Sequence, residues 1–260
     1  MRKTLVWTAL SVLAFAPRAS AAVFLNGDFE TGTSAGWTTG TGYRSGVLNP
    51  SLDAADLLPG GSLYNPSLMH SSIVTPGLVA ETGNQLNQVY SGAYSWRVED
   101  TTNGGYGSAI EQRVNGYSAP DIFFAWAAVL EGAHGVTDAA TVKIQLRDVT
   151  SGVNLISREY NAASSGGGVD PRFSYYSPTN FYWTTWQIEQ LTLPLSSVGH
   201  DLVLSILASD CEPTGHEGFL FLDGFGDKVP DQRDVPEPAS LLLAGLGLAA
   251  ATRRGRKLAA

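Results

Sequence analysis

Two stretches of this chain hold the side chains best equipped for chemistry. The first runs from Phe173 to Trp186 and contains Tyr175, Tyr176, Phe181, Tyr182 and Trp183 between those ends. Aromatic faces left in solvent stack on sugar rings through CH–π and apolar contact, which makes Tyr175, Tyr176, Tyr182 and Trp183 a candidate ligand-binding group. The competing fate of each ring is the core of a β-sandwich, above all for Trp186. The second stretch runs from Ser209 to Phe219 and carries Asp210, Cys211, Glu212, His216 and Glu217. Asp, Cys and His within seven residues supply the atoms that zinc takes, but one Cys and one His fall short of a tetrahedral set. His216-Glu217 also has no second His at Leu220, so the zincin spacing fails. A conformational loop with a hydrogen-bonded His216 is expected instead. His70, His134 and His200 have no spaced partner and are expected at the surface.

Other catalytic signatures are missing from the sequence. It has no Gly-x-Ser-x-Gly elbow, no phosphate-binding loop and no dinucleotide fingerprint. Glu99-Asp100, Glu111, Glu131 and Glu189 are acids from which a glycosidase pair could be drawn, although any acidic sandwich scatters such residues. The expectation is a protein that is not an enzyme.

The elements that must position these residues are strands. Tyr94, Trp96 and Val98 alternate with polar neighbours, as do Val142, Ile144 and Leu146. Val23–Glu30, Ser108–Val114, Ile122–Val129, Leu155–Tyr160, Trp186–Leu193, Leu202–Ala208 and Phe219–Asp223 are further predicted strands, separated by Gly, Asn, Ser and Pro clusters. Such spacing, with 29 glycines in the chain, predicts an all-β fold, an antiparallel β-sandwich or jelly roll. Two long stretches break the rhythm. Thr38 to Tyr90 predicts irregular loops with one or two short strands, and Asn161 to Trp183 a long loop of the functional or flexible kind.

Asn26-Gly27-Asp28-Phe29-Glu30 followed by Gly36-Trp37, the Gly92-Ala93-Tyr94-Ser95 segment, and the closing Phe219-Leu220-Phe221-Leu222-Asp223 resemble galactose-binding-like jelly rolls. That group includes xylan- and glucan-binding modules. The resemblance spans residues 23–226 and implies a structural calcium ion shared by first-strand and last-strand acids. Carried over, these are Glu30 and Asp223, with Asp28 contributing a carboxylate or carbonyl oxygen. Calcium takes six to eight oxygens, so two carboxylates from chain-distant strands plus carbonyls of a Gly-rich turn would suit it. The alternative is that Asp28 and Glu30 are solvated charges and Asp223 caps a turn.

The chain ends are addresses. Arg2 and Lys3, the apolar run Leu5 to Ala16, and Ala19-Ser20-Ala21 form a signal peptide over residues 1–21, read as a helix. At the other end Val235, Pro236, Glu237 and Pro238 precede a short apolar helix from Ala239 to Thr252 and the basic Arg253-Arg254-Gly255-Arg256-Lys257. Fourteen residues reach about 21 Å, short of the roughly 30 Å hydrocarbon core, so this transmembrane segment inserts marginally with its arginines on the cytoplasmic side. Residues 235–260 resemble a PEP-CTERM sorting tail, whose family is processed by exosortase, a membrane protease. The implied division is signal peptide 1–21, jelly roll 22–227, linker 228–234 and tail 235–260.

Without both tails, residues 22–234 carry nine Lys+Arg against 23 Asp+Glu, a net charge of −14. Nucleic acid needs a basic footprint and is excluded as a partner. Cys211 is the single cysteine, so no internal disulfide can form. Together the two resemblances imply a secreted, non-catalytic surface or matrix protein, tethered at the inner membrane during sorting. The sorting-tail resemblance implies exopolysaccharide as ligand, and the jelly-roll resemblance implies structural calcium as cofactor. A glycan-active hydrolase and a purely structural surface protein remain the alternatives.

Overall fold

The computed structural model describes residues 22–230. The expected signal helix, the sorting motif Val235–Pro238 and the apolar helix lie outside them. Among the described residues twelve strands form two antiparallel sheets. In chain order they are β1 Thr38–Tyr43, β2 Ser72–Val74, β3 Ser95–Val98, β4 Tyr106–Tyr117, β5 Asp121–Glu131 and β6 Thr141–Asp148. There follow β7 Val153–Asn161, β8 Phe173–Tyr176, β9 Phe181–Thr184, β10 Gln187–Thr192, β11 His200–Ser209 and β12 Gly218–Gly226. One sheet has the order β1-β4-β11-β6-β7. The other runs β2-β3-β12-β5-β9-β8, with β10 also on β5. The expected antiparallel β-sandwich is what the chain forms.

Alternation explains the interior. Ile122, Phe124, Trp126, Ala128 and Leu130 of β5 meet Leu202, Leu204, Ile206 and Ala208 of β11 and Val142, Ile144 and Leu146 of β6 in one buried cluster. Yet β5 is buried without a break from Ile122 to Leu130, so its other face is covered too. There Ala127 and Val129 join Phe219 and Phe221 of β12, Phe181, Trp183, Val79 and Leu86 in a second cluster. The cover is the loop between β2 and β3, held to itself by Val79 N–H to Leu86 C=O at 2.9 Å and Gln88 N–H to Gly77 C=O at 2.9 Å. A third cluster, Leu52, Ala54, Leu57 and Leu58 over Ala109 and Leu207, covers the outside of the five-stranded sheet.

The predicted first strand, Val23–Glu30, is not one. It folds as turns, with Asn26 and Phe29 at φ of 48° and 55° and Phe29 N–H bonded to Asn26 C=O. Asn26 drives this locally: its amide donates to the Thr33 and Ala35 carbonyls, and its oxygen accepts from Thr31. Gly27 still lies beside β12, so close that a Cβ would sit 2.0 Å from the Phe225 carbonyl oxygen. Phe29, fully buried, stacks on Trp37 at 5.5 Å and Trp96 at 6.1 Å, plugging that end of the core. Thr38 to Tyr90, expected as irregular loops with one or two short strands, holds the two short strands β1 and β2. The aromatic loop after Asn161, by contrast, is mostly the β8–β9 hairpin.

Phe221 is 1% exposed on the outer face of the seven-stranded sheet. Phe221→Ala should cost about 3–5 kcal/mol in a denaturant titration, as for any buried Phe. A loss within about 0.5 kcal/mol, the ordinary surface value, would mean that this face is uncovered.

Candidate functional site

The predicted acids border one pocket, although their oxygens do not all come within 4.8 Å of one another and Asp28 and Glu30 are exposed. Asp28, Glu30 and Asp223 line one pocket of about 600 Å3 with Ser91, Gly92, Gly224, Lys228, Val229 and Pro230. The beginning of the expected linker, Lys228–Pro230, is thus part of this wall. Asp223, at the bulged end of β12, is fully buried. Its Oδ2 accepts from Tyr90 N–H at 3.2 Å and Ser91 N–H at 3.0 Å, while its buried Oδ1 has no hydrogen-bond partner. Glu30 grips the next residues: its carboxylate accepts from Ala93 N–H at 2.9 and 3.1 Å and Tyr94 N–H at 3.0 Å. Asp28 accepts from Glu30 N–H at 3.3 Å. Gly92, at φ of 73°, leaves the space that Glu30 occupies; a Cβ would stand 2.4 Å from Oε1. Burial, opposed by backbone hydrogen bonds and aided by the nearby Glu30 charge, pushes Asp223 up to about 8.

The four candidate aromatics do not form one shelf. In the β8–β9 hairpin Tyr175 pairs with Tyr182, and Ser174 with Trp183. The two-residue period therefore sends Tyr175 and Tyr182 to one side, and Tyr176 and Trp183 to the other. Trp183 is 5% exposed within the second cluster, where Tyr176 also packs. Its face is core surface, contrary to its expected place on a binding shelf. Tyr175, 51% exposed, lies 4.7 Å from the Tyr182 ring and donates to Asn180 Oδ1 at 3.2 Å.

A better aromatic site lies where β9 gives way to β10. Trp186, read from sequence as a core residue, sits at that break and is only partly buried. It lines a cleft of about 350 Å3 with Gln85, Leu86, Asn87, Tyr90, Thr185 and Ile188. Its Nε1–H donates to the Asn87 carbonyl at 2.9 Å, and its ring meets Tyr90 at 5.6 Å and 58°. The ring is thus locked in place in a cleft lined also by Gln85, Asn87 and Thr185, where the Asn87 side-chain oxygen accepts from Gly77 and Val89 N–H and the Gln85 amide donates to the Thr82 carbonyl. An apolar plate with a few convergent polar groups is the mixture that small polar ligands need. Gln85, Asn87 and Tyr90 went unnoticed in the sequence because they belong to the outer cover, which has no strand pattern.

The scattered acids have other employments. Glu189 is held by Arg158 at 3.3 Å and Arg172 at 3.4 Å. The Glu131 carboxylate accepts from Glu217 N–H at 3.2 Å. Glu99 is fully buried at φ of 63°, accepts from the Ser108 hydroxyl at 2.8 Å, and lies 3.3 Å from His70 Nδ1. His70 also meets Asp100 at 3.1 Å and stacks on Tyr106 at 4.3 Å, and His200 meets Asp148 at 2.8 Å. Neither histidine is the unpartnered surface residue expected.

Residues 234–257 match the PEP-CTERM protein-sorting motif. No curated protein matches the chain. Among solved structures it is similar to TmCBM61 in complex with β-1,4-galactotriose, at 12% identity over 79% of this chain and 97% of that one, TM-score 0.41. It is similar to CBM28, a carbohydrate-binding module specific for non-crystalline cellulose, at 12% identity over 80% and 94%, TM-score 0.39. It is also similar to a cyclase from Fischerella sp. TAU, at 11% identity over 80% and 95%, TM-score 0.38. At such identities the likeness is one of chain path, not of ligand.

Burial raises Glu99 to about 8, against hydrogen bonds from Ser108 and Asp100 that lower it. A carboxyl that holds its proton more tightly when folded stabilises most below its unfolded value near 4.5. That contribution fades as pH climbs through about 8. Melting temperature should therefore fall from pH 5 to pH 9, and Glu99→Gln should flatten part of that slope. An unchanged slope in the variant would show Glu99 ionised in the folded state.

Proposed function

We propose that this protein is an exported, non-catalytic polysaccharide-binding module that holds its ligand in the Trp186 cleft. Calcium at Asp28, Glu30 and Asp223 completes the proposal as a structural cofactor. The observation that carries it is the fixed Trp186 ring standing among Gln85, Asn87 and Thr185 in an open cleft. A sugar ring offers an apolar C–H face and a rim of hydroxyls, and these residues match both. The cleft lining contains no carboxylate, which supports binding over glycoside hydrolysis, a reaction that needs two flanking acids. The sorting motif supports export, with an exosortase-type protease as processing partner and the surface or extracellular matrix as destination.

The acid pocket suits a hard cation. Asp223 presents a buried oxygen without a partner, and Asp28 and Glu30 add carboxylates on the same wall. An ion there would satisfy that oxygen and offset the repulsion between Glu30 and Asp223. Lys228 lines the same pocket and supplies a competing positive charge.

The test is retention of the purified protein on a panel of polysaccharides in calcium buffer, with released sugar assayed in parallel. Retention without release is expected, and Trp186→Ala should weaken it about tenfold, roughly 1.4 kcal/mol. Sugar release would contradict the non-catalytic reading. Loss of retention in Tyr175→Ala but not Trp186→Ala would move the site to the hairpin. The calcium proposal is judged separately, by a melting temperature that calcium raises and EDTA lowers; no movement in either direction removes it.

A further inference from the structure

Cys211 and His216 flank the turn between β11 and β12, and the chain brings His134 to them from the loop after β5. His134 Nε2 lies 2.9 Å from His216 Nδ1, and Cys211 Sγ lies 3.4 Å from the same nitrogen. All three donor atoms fall within 4.8 Å of one another, with Cys211 buried and both histidines half-buried. The spacing read in the sequence lacked a second histidine because His134 stands 82 residues from His216.

As hydrogen bonds, these two contacts compete. His216 Nδ1 has a single in-plane position, which can hold one proton or accept one. It cannot satisfy both the His134 nitrogen and the Cys211 sulfur there. Zinc bonds of about 2.0 Å to nitrogen and 2.3 Å to sulfur would set tetrahedral edges of roughly 3.3 Å between nitrogens and 3.6 Å between nitrogen and sulfur. The observed 2.9 and 3.4 Å need to open by only a few tenths of an ångström.

The three residues are also built into place. Cys211 N–H donates to the His216 carbonyl at 3.0 Å, Glu212 N–H to Asp138 C=O at 2.8 Å, and Ser164 N–H to His134 C=O at 3.0 Å. Beneath them the fully buried Arg44 donates to the Asp210 carbonyl at 2.7 Å and to Asn49 Oδ1 at 2.8 Å. Asn49 in turn donates to the Val136 and Ala139 carbonyls, each at 3.1 Å. One buried guanidinium thus anchors both loops that carry the donors.

We propose that His134, Cys211 and His216 form a binding site for a thiophilic divalent transition-metal ion, zinc by the chemistry of its donors. Two imidazoles and one thiolate take three positions, the thiol proton leaves to solvent on binding, and the fourth position opens outward for water or an external ligand. The site is independent of the glycan cleft and of the oxygen-lined pocket proposed for calcium.

Cobalt(II) reports on it directly. The protein is purified, its thiol reduced, and cobalt added in excess calcium so that hard-oxygen sites are filled. One equivalent should produce thiolate-to-cobalt charge-transfer absorption in the near ultraviolet and the strong visible bands of four-coordinate cobalt, both abolished by one equivalent of zinc. Cys211→Ser should remove the charge-transfer band. His134→Asn, which tolerates the 62° φ at this position, should weaken zinc at least tenfold with an unchanged circular dichroism spectrum. Absence of a charge-transfer band in the reduced wild type overturns the proposal without reference to any variant. Zinc affinity unchanged in His134→Asn overturns it as well.

Discussion

Burial of β5 and β12 on both faces is the constraint from which the rest of the molecule follows. A sheet in a simple sandwich hides one face and wets the other, and its strands then alternate apolar with polar residues. Here Phe219 and Phe221 alternate with Leu220 and Leu222, apolar against apolar. The outer face must therefore be covered by something that has no partner sheet. The loop from Val74 to Tyr90 provides Val79 and Leu86 for that purpose. A loop laid over a sheet brings polar backbone with it, and that backbone has to be satisfied.

The carboxylates satisfy it. Asp223 and Glu30 accept four consecutive-region backbone donors, Tyr90, Ser91, Ala93 and Tyr94, where the covering loop turns into β3. The same covering loop contributes Gln85, Asn87 and Tyr90 to the cleft that Trp186 completes from the sheet. What pins the loop thus also sets the shape of the cleft. The cluster of His134, Cys211 and His216 stands apart, held by Arg44 and Asn49 between other loops.

Much of this was legible where side chains alternate against a single core. β4 to β7 and β10 to β12 follow their predicted segments closely. Within Thr38–Tyr90 the short strands were expected but not placed, because Thr38–Tyr43 is a strand of close approach: a Cβ at Gly40 or Gly42 would stand 2.1 Å from the Leu57 or Leu63 carbonyl oxygen. The β8–β9 hairpin was hidden by its own aromatics, which carry no polar alternation because Phe181 and Trp183 face a covered surface. Val23–Glu30 had the apolar content of a strand but the turn chemistry of Asn26-Gly27 prevailed. The three acids named as calcium ligands line one pocket, whereas the aromatic quartet ignored the two-residue period that splits it. The histidine pair was beyond reach of any local motif, since only the fold joins its loops.

The central claim, that the Val74–Tyr94 segment is a fastened cover rather than a free loop, is tested most directly by amide hydrogen exchange. Val79, Gln88, Tyr90 and Ser91 should exchange far more slowly than free chain. Asp223→Ala should speed these amides as a group while leaving Ile144 in β6 protected. Free-chain exchange of the segment in the wild type, or no acceleration in the variant, would contradict the account.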